Sequence, residues 1–208
     1  EGLVEFADFD PLDLTQIDAN GDGLQSVSDL SGLTSLTQLR LYSNQLTNIG
    51  GLSALTSLNF LRLDSNQLTD IGDLSGLTSL SVLYLNNNQL TDIAYLSGLT
   101  SLSRLYLNNN QLTDIGDISS LTSLSILYLY NNQLTDIGDI GSASLTNIRL
   151  EGNALIQSCV DQVFNDLDSL GASNGSCNVS GGTNSAPSVA SDTARTNLIG
   201  RGWTLTFN

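Results

Sequence analysis

A block of 22 residues recurs along this chain: Leu33 opens a stretch that returns at Leu55, Leu77, Leu99 and Leu121, each copy close to LTSLxxLxLxxNQLTDIxxLSG. A unit this short cannot hide its own leucines from water, so the copies must stack and bury them against one another. Leu36, Leu39, Leu41, Leu46, Ile49 and Leu52 are therefore predicted to pack on their equivalents one period later. The Asn at the bend (Asn44, Asn66, Asn88, Asn110, Asn132 and, after a one-residue contraction, Asn153) carries both a donor and an acceptor, which suits it to join the backbones of neighbouring coils. The register already holds from Leu14, with Ile17, Ala19, Leu24, Val27 and Leu30 at inward positions and Asp22 in place of the bend Asn. This divides the chain into an N-terminal cap over residues 1–13, a solenoid over 14–155 and a C-terminal cap over 156–208.

The order LxxLxLxxNxL, repeated every 20 to 29 residues or so, is the leucine-rich-repeat signature, in which each unit adds one strand to a parallel sheet on the inner wall of a horseshoe. The fold class expected is an α/β repeat solenoid with a concave parallel β-sheet and a cap at each end. With NQLTDI at the bend, the blocks resemble the 22-residue repeats of internalin-like and SDS22-like leucine-rich-repeat proteins of the bacterial surface type. The resemblance implies a binding scaffold. Proteins with this repeat take unrelated partners, so function has to be read from the surface that the repeats display.

Charge narrows the partners. The net charge is −15, with six arginines, no lysine and no histidine. Phosphate backbones need clustered positive charge, which argues against nucleic acid, and an anionic membrane surface is disfavoured on the same ground. No apolar run is long enough to insert across a bilayer. Without His or Lys the common bases and nucleophile activators are missing, which points away from an enzyme. Cys159 and Cys177, 18 residues apart, are expected to form a disulfide that seals the end of the solenoid, worth about 3 kcal/mol by loop closure. The alternative is two buried thiols. A bridge belongs to an oxidising compartment, and with a start at Glu1 rather than Met it suggests a secreted or cell-surface protein.

The caps break the period. Leu3, Val4, Phe6 and Phe9 are read as covering the first coil. After Asn153, the apolar residues Val160, Val163, Phe164, Leu167 and Leu170 recur at helical spacing, which predicts a capping helix over 158–170. The Gly-, Ser- and Asn-rich stretch 172–187 reads as a loop, 189–199 as a short helix, and Trp203, Leu205 and Phe207 as a strand. The ending LIGRGWTLTFN is similar to the tails of several bacterial surface leucine-rich-repeat proteins.

Strand alternation sorts the repeat into faces. With Leu39 and Leu41 inward, the outward central column holds Asp18, Arg40, Arg62, Tyr84, Tyr106, Tyr128 and Arg149. The flanking columns bring Phe60 and Arg104 on one side, and Tyr42, Asp64 and Tyr130 on the other. Four of six arginines and five of six tyrosines thus fall on one face, where the repeats vary most. These residue types dominate interface hot spots. The expected function is a monomeric binding protein that recognises a protein or glycan ligand with Arg40, Tyr42, Phe60, Arg62, Asp64, Tyr84, Arg104, Tyr106, Tyr128, Tyr130 and Arg149.

Two alternatives rest on other features: a spacer segment of a larger adhesin, or adsorption to ice or a crystal through the Thr47, Thr69, Thr91, Thr113 and Thr135 column. The adjacent column Asp70, Asp92, Asp114 and Asp136 counts against adsorption, because charged groups keep their own hydration. With Asp73, Asp117 and Asp139 it reads as a solvated face. Asp18, Asn20, Asp22, Leu24 (through its carbonyl) and Asp29 follow the spacing of a calcium loop, with Asp rather than Glu at the last position. Calcium is the cofactor this spacing suggests.

Overall fold

Each repeat gives three residues to a sheet and then turns away from it. The structure, a computed structural model, describes residues 14–140 and 144–208; the expected cap at 1–13 lies outside the described residues. Among the described residues, nine parallel strands form one sheet in sequence order. They are β1 (Gln16–Asp18), β2 (Gln38–Arg40), β3 (Phe60–Arg62), β4 (Val82–Tyr84), β5 (Arg104–Tyr106), β6 (Ile126–Tyr128), β7 (Asn147–Arg149), β8 (Ser176–Asn178) and β9 (Thr204–Thr206). The register follows the repeat, so Leu39 pairs with Leu61, Leu61 with Leu83 and Leu83 with Leu105. The inward residues, with Leu41, Leu46, Ile49 and Leu52 and their equivalents, form one continuous core. Each fully buried Leu contributes about 1.5–3 kcal/mol, which a single coil could not obtain alone.

The bend asparagines stitch the coils together. Asn88 is typical: its Oδ1 accepts from Leu68 N at 3.1 Å, and its Nδ2 donates to Leu63 O and Leu85 O, both at 3.0 Å. Two of these three partners belong to the preceding coil, so every Asn from Asn44 to Asn153 joins its own backbone to the one before. The residue before the Asn takes a left-handed conformation in six coils (Ser43, Ser65, Asn87, Asn109 and Asn131 at φ 55–57°, and Gly152 at φ 70°). Ser and Asn tolerate it because their short polar side chains bond locally.

On the far side of each coil the acidic columns do backbone work. Asp70, Asp114 and Asp136 accept from the N–H groups of Gly72, Gly116 and Gly138, and Asp73 and Asp117 from those of Ser75 and Ser119. The Ser75 and Ser119 hydroxyls, and after them these N–H groups, hold the Asp73 and Asp117 carboxyls below the usual carboxylate range. The columns are turn-formers as well as a solvated face.

The C-terminal segment extends the sheet. Residues 172–187, expected to be a loop, contain β8, whose Cys177 sits in line with Ile148 of β7 and Leu205 of β9. The helix α1 (Gln157–Ser169) replaces the outer side of one coil and buries Val160, Val163, Phe164 and Leu167. Asn184 then repeats the bend motif, accepting from Leu155 N at 2.8 Å and donating to Leu150 O and Val179 O at 3.0 Å. The helix α2 (Asp192–Gly200) packs on α1, and Arg201 fastens the tail through Asp168 and the Ala172 carbonyl. Trp203 is buried and donates its indole N–H to Ala172 O at 2.9 Å.

The expected disulfide is not formed: Cys159 and Cys177 are both free and buried. Cys159 lies on the first turn of α1 beside Asp136, whereas Cys177 fills an inward strand position within the stacked core. Burial pushes the Cys159 thiol up to about 12 and raises Cys177 as well, so both are inert apolar groups at neutral pH. Among the described residues no helix is long and apolar enough to cross a membrane.

Candidate binding surface on the inner wall

Because the strands pair in register, the outward residues of successive coils lie side by side, about 4.8 Å apart. Arg40, Arg62, Tyr84, Tyr106, Tyr128 and Arg149 form a continuous row. At that spacing their rings and guanidinium planes must pack on one another. Tyr84 and Tyr106 stack with centroids 4.3 Å apart and planes 7° from parallel, and Tyr106 meets Tyr128 edge to face at 5.1 Å. Phe60 leans on Tyr84 at 5.9 Å, and Tyr130 on Tyr128 at 6.2 Å.

The arginines close both ends of this row. Arg62 lies 4.1 Å from the Tyr42 ring centroid and 5.0 Å from that of Tyr84, and it binds Asp64 through two bonds of 2.9 and 3.0 Å. That pairing raises the Arg62 guanidinium above its ordinary value, and only 7% of the Asp64 surface is exposed. Arg149 pairs with Glu151 and lies 4.5 Å from the Tyr130 centroid. Arg40 donates to Gln38 at 2.9 Å and covers Phe60 at 4.8 Å. Both charged pairs join residues two apart in sequence, which a strand places on the same side.

All eleven residues expected to bind ligand are therefore brought onto one wall, and all but Arg104 are pre-ordered by the contacts just described. Burial, then the neighbouring Tyr84, pushes the Tyr106 hydroxyl up to about 12, so it remains a donor at neutral pH. At the C-terminal end, Asn147 donates to the Tyr128 hydroxyl at 3.2 Å, while Asn147 Oδ1 and Glu151 Oε2 are buried without a donor among the described residues. Asn178 and Thr206 of β8 and β9 prolong the central row, an extension hidden from sequence because the period lapses after Asn153.

The residues of the calcium-like spacing lie along the first coil. Among the described residues no group of three or more acidic or thiol side chains is placed to hold a metal ion. Asp18 ends β1 on the inner wall, Asp29 sits in the turn Ser28–Gly32, and the Leu24 carbonyl accepts from Gln45 N at 2.9 Å. Asn44 holds the intervening loop through Ala19 O and Leu24 N, so Asn20 and Asp22 occupy an ordinary first coil of the stack. The Thr column is exposed, as is the Asp column beside it.

The sequence matches the family described as Leucine Rich repeats (2 copies) over residues 34–77, 56–101, 78–121 and 100–142. Among solved structures, internalin C2 from Listeria monocytogenes is similar at 35% identity, covering 65% of this chain and 60% of that one, with a TM-score of 0.62. A leucine-rich-repeat protein from Leptospira interrogans shares the fold at 22% identity, covering 90% of this chain and 60% of its own, with a TM-score of 0.61. The chain thus spans about 60% of the length of either. No curated protein matches it.

Proposed function

We propose that this chain, which belongs to the leucine-rich-repeat family and is internalin-like, is a secreted or cell-surface binding protein that recognises a protein or glycan ligand through its inner wall. The fold is one that generally serves as a protein-interaction scaffold, which supports a binding role. One observation carries it: the residue types suited to hot spots are concentrated in a row whose side chains already hold each other in place. Pre-ordering lowers the entropy lost on binding. The stacking of Tyr84 on Tyr106 occupies ring faces that a sugar would need, which favours a protein ligand.

The test compares the protein with Tyr106→Ala and with Tyr95→Ala, a tyrosine exposed in the turn Ala94–Leu96, away from the strands. Each is immobilised and probed with a glycan array and with biotinylated surface proteins from candidate cells, with calcium or with a chelator. Capture of one class should fall about tenfold or more in Tyr106→Ala, the loss typical of a hot spot, and stay unchanged in Tyr95→Ala. Capture indifferent to Tyr106 and sensitive to Tyr95 would overturn the reading. Arg62→Ala is a poorer probe, because it strands the Asp64 carboxylate in a site nearly closed to water and so costs stability as well.

A further inference from the structure

Arg104 differs from the other arginines of the inner wall. Arg62 and Arg149 are already neutralised by Asp64 and Glu151, and Arg40 is held by Gln38. Among the described residues no hydrogen bond or ion pair engages the Arg104 guanidinium, and the residue is exposed. It stands on β5, the middle strand of nine, at the centre of the stretch between the two neutralised pairs. Its neighbours in the same column are apolar, Val82 on β4 and Ile126 on β6, each about 4.8 Å away along the sheet.

We propose that the protein ligand presents a carboxylate side chain, flanked by apolar groups, to the Arg104 guanidinium. The proposal rests on recognition by the inner wall and adds the chemistry of the partner. Charge complementarity supports it first: four arginines face Asp18, Asp64 and Glu151 on this wall, while the whole chain carries −15. An acidic group is repelled over most of the molecule and finds here, among the described residues, an arginine with neither an acidic partner nor a hydrogen bond, which sets both position and partner choice. The frame supports it second. Val82 and Ile126 exclude water around the guanidinium once covered, and a charge pair gains strength as water leaves. The planar fork of Arg matches a carboxylate through two parallel bonds. A phosphate would fit the same fork but carries more charge into the field of an acidic protein.

Random 12-residue peptides displayed on phage are selected in parallel on the immobilised protein and on its Arg104→Glu variant, and the winners are measured against Arg104→Ala, Arg104→Lys and Tyr106→Ala. The wild-type pool should converge on Asp or Glu at one position beside apolar residues. Its affinity should fall at least tenfold with Arg104→Ala, recover in part with Arg104→Lys, and weaken with added salt. The Arg104→Glu pool should converge on Lys or Arg at that position. A consensus without an acid, or one indifferent to Arg104 but abolished by Tyr106→Ala, overturns the carboxylate while leaving the inner wall as the site. Binding equal across all variants overturns both. Acidic glycans captured through Arg104, with no acidic peptide selected, overturn the protein ligand.

Discussion

Replacing Asn88 with Asp is expected to cost the fold about 3–5 kcal/mol, measured as the loss of unfolding free energy in urea. The Asn88 amide nitrogen serves two carbonyls, Leu63 O and Leu85 O, in a site with 9% of the residue exposed. A carboxylate has no hydrogen to offer either of them and brings an unpaired charge into the same place; only the bond from Leu68 N survives. Because the native environment disfavours the ionised form, the new carboxyl titrates above its unfolded value. The penalty is therefore full at neutral pH and shrinks as pH falls through the raised native pKa, since the protonated form can again donate once. Asn88→Ala should cost somewhat less at neutral pH and show no such recovery. Gln89→Ala is the control: the residue is exposed and its backbone N–H bond to Leu68 O does not depend on the side chain, so the change should stay within about 0.5 kcal/mol. In a stack where each coil touches only its neighbours, a lost bond between coils should also make unfolding less cooperative.

Gly98→Ala should destabilise by about 1–3 kcal/mol, whereas Gly76→Ala, at the equivalent position one repeat earlier, should be close to neutral. A Cβ at Gly98 would fall 2.4 Å from Ser75 O and 2.9 Å from Ser75 Cα, both backbone atoms of the preceding coil. At Gly76 the nearest atom, Ser53 O, is 3.6 Å away, which is ordinary contact. The two glycines look identical in sequence, and Ala54 and Ser120 occupy the same repeat position elsewhere. What separates them is how closely neighbouring coils approach on the outer side. Thermal denaturation of the two variants side by side gives the comparison, and equal effects would show that this approach is not fixed as described.

Much of this architecture could be read from spacing alone, because a strict period imposes one environment on every copy of a position. The inward leucines, the bend asparagines and the outward row from Arg40 to Arg149 follow from that rule, and each lies where the period puts it. The pairs Arg62–Asp64 and Arg149–Glu151 could have been read too, since residues two apart in a strand share a side. Where the period lapses, composition misleads. Residues 172–187 are rich in Gly, Ser and Asn, yet the sheet before them offers an unpaired edge, and β8 forms there. The spacing from Asn153 to Asn184 is stretched by α1, which conceals that both carry out the same stitching. The two cysteines lie close in sequence but belong to different layers, one on α1 and one in the sheet, so proximity along the chain did not make a bridge. The residues of the calcium-like spacing fall on the first coil, where the repeat period also accounts for their places.

The most direct test of the inner wall as the recognition surface is photo-crosslinking. A benzophenone amino acid is placed in turn at Tyr106, at Tyr95 and at Gln89, the exposed residue that follows the bend Asn88 outside the strands, and each protein is irradiated with the ligand captured by the unlabelled chain. Adducts should form from position 106 alone, since its side chain lies on the face proposed to be covered and the other two do not. Adducts from position 95 or 89, with none from 106, would place the partner elsewhere on the solenoid and contradict the assignment.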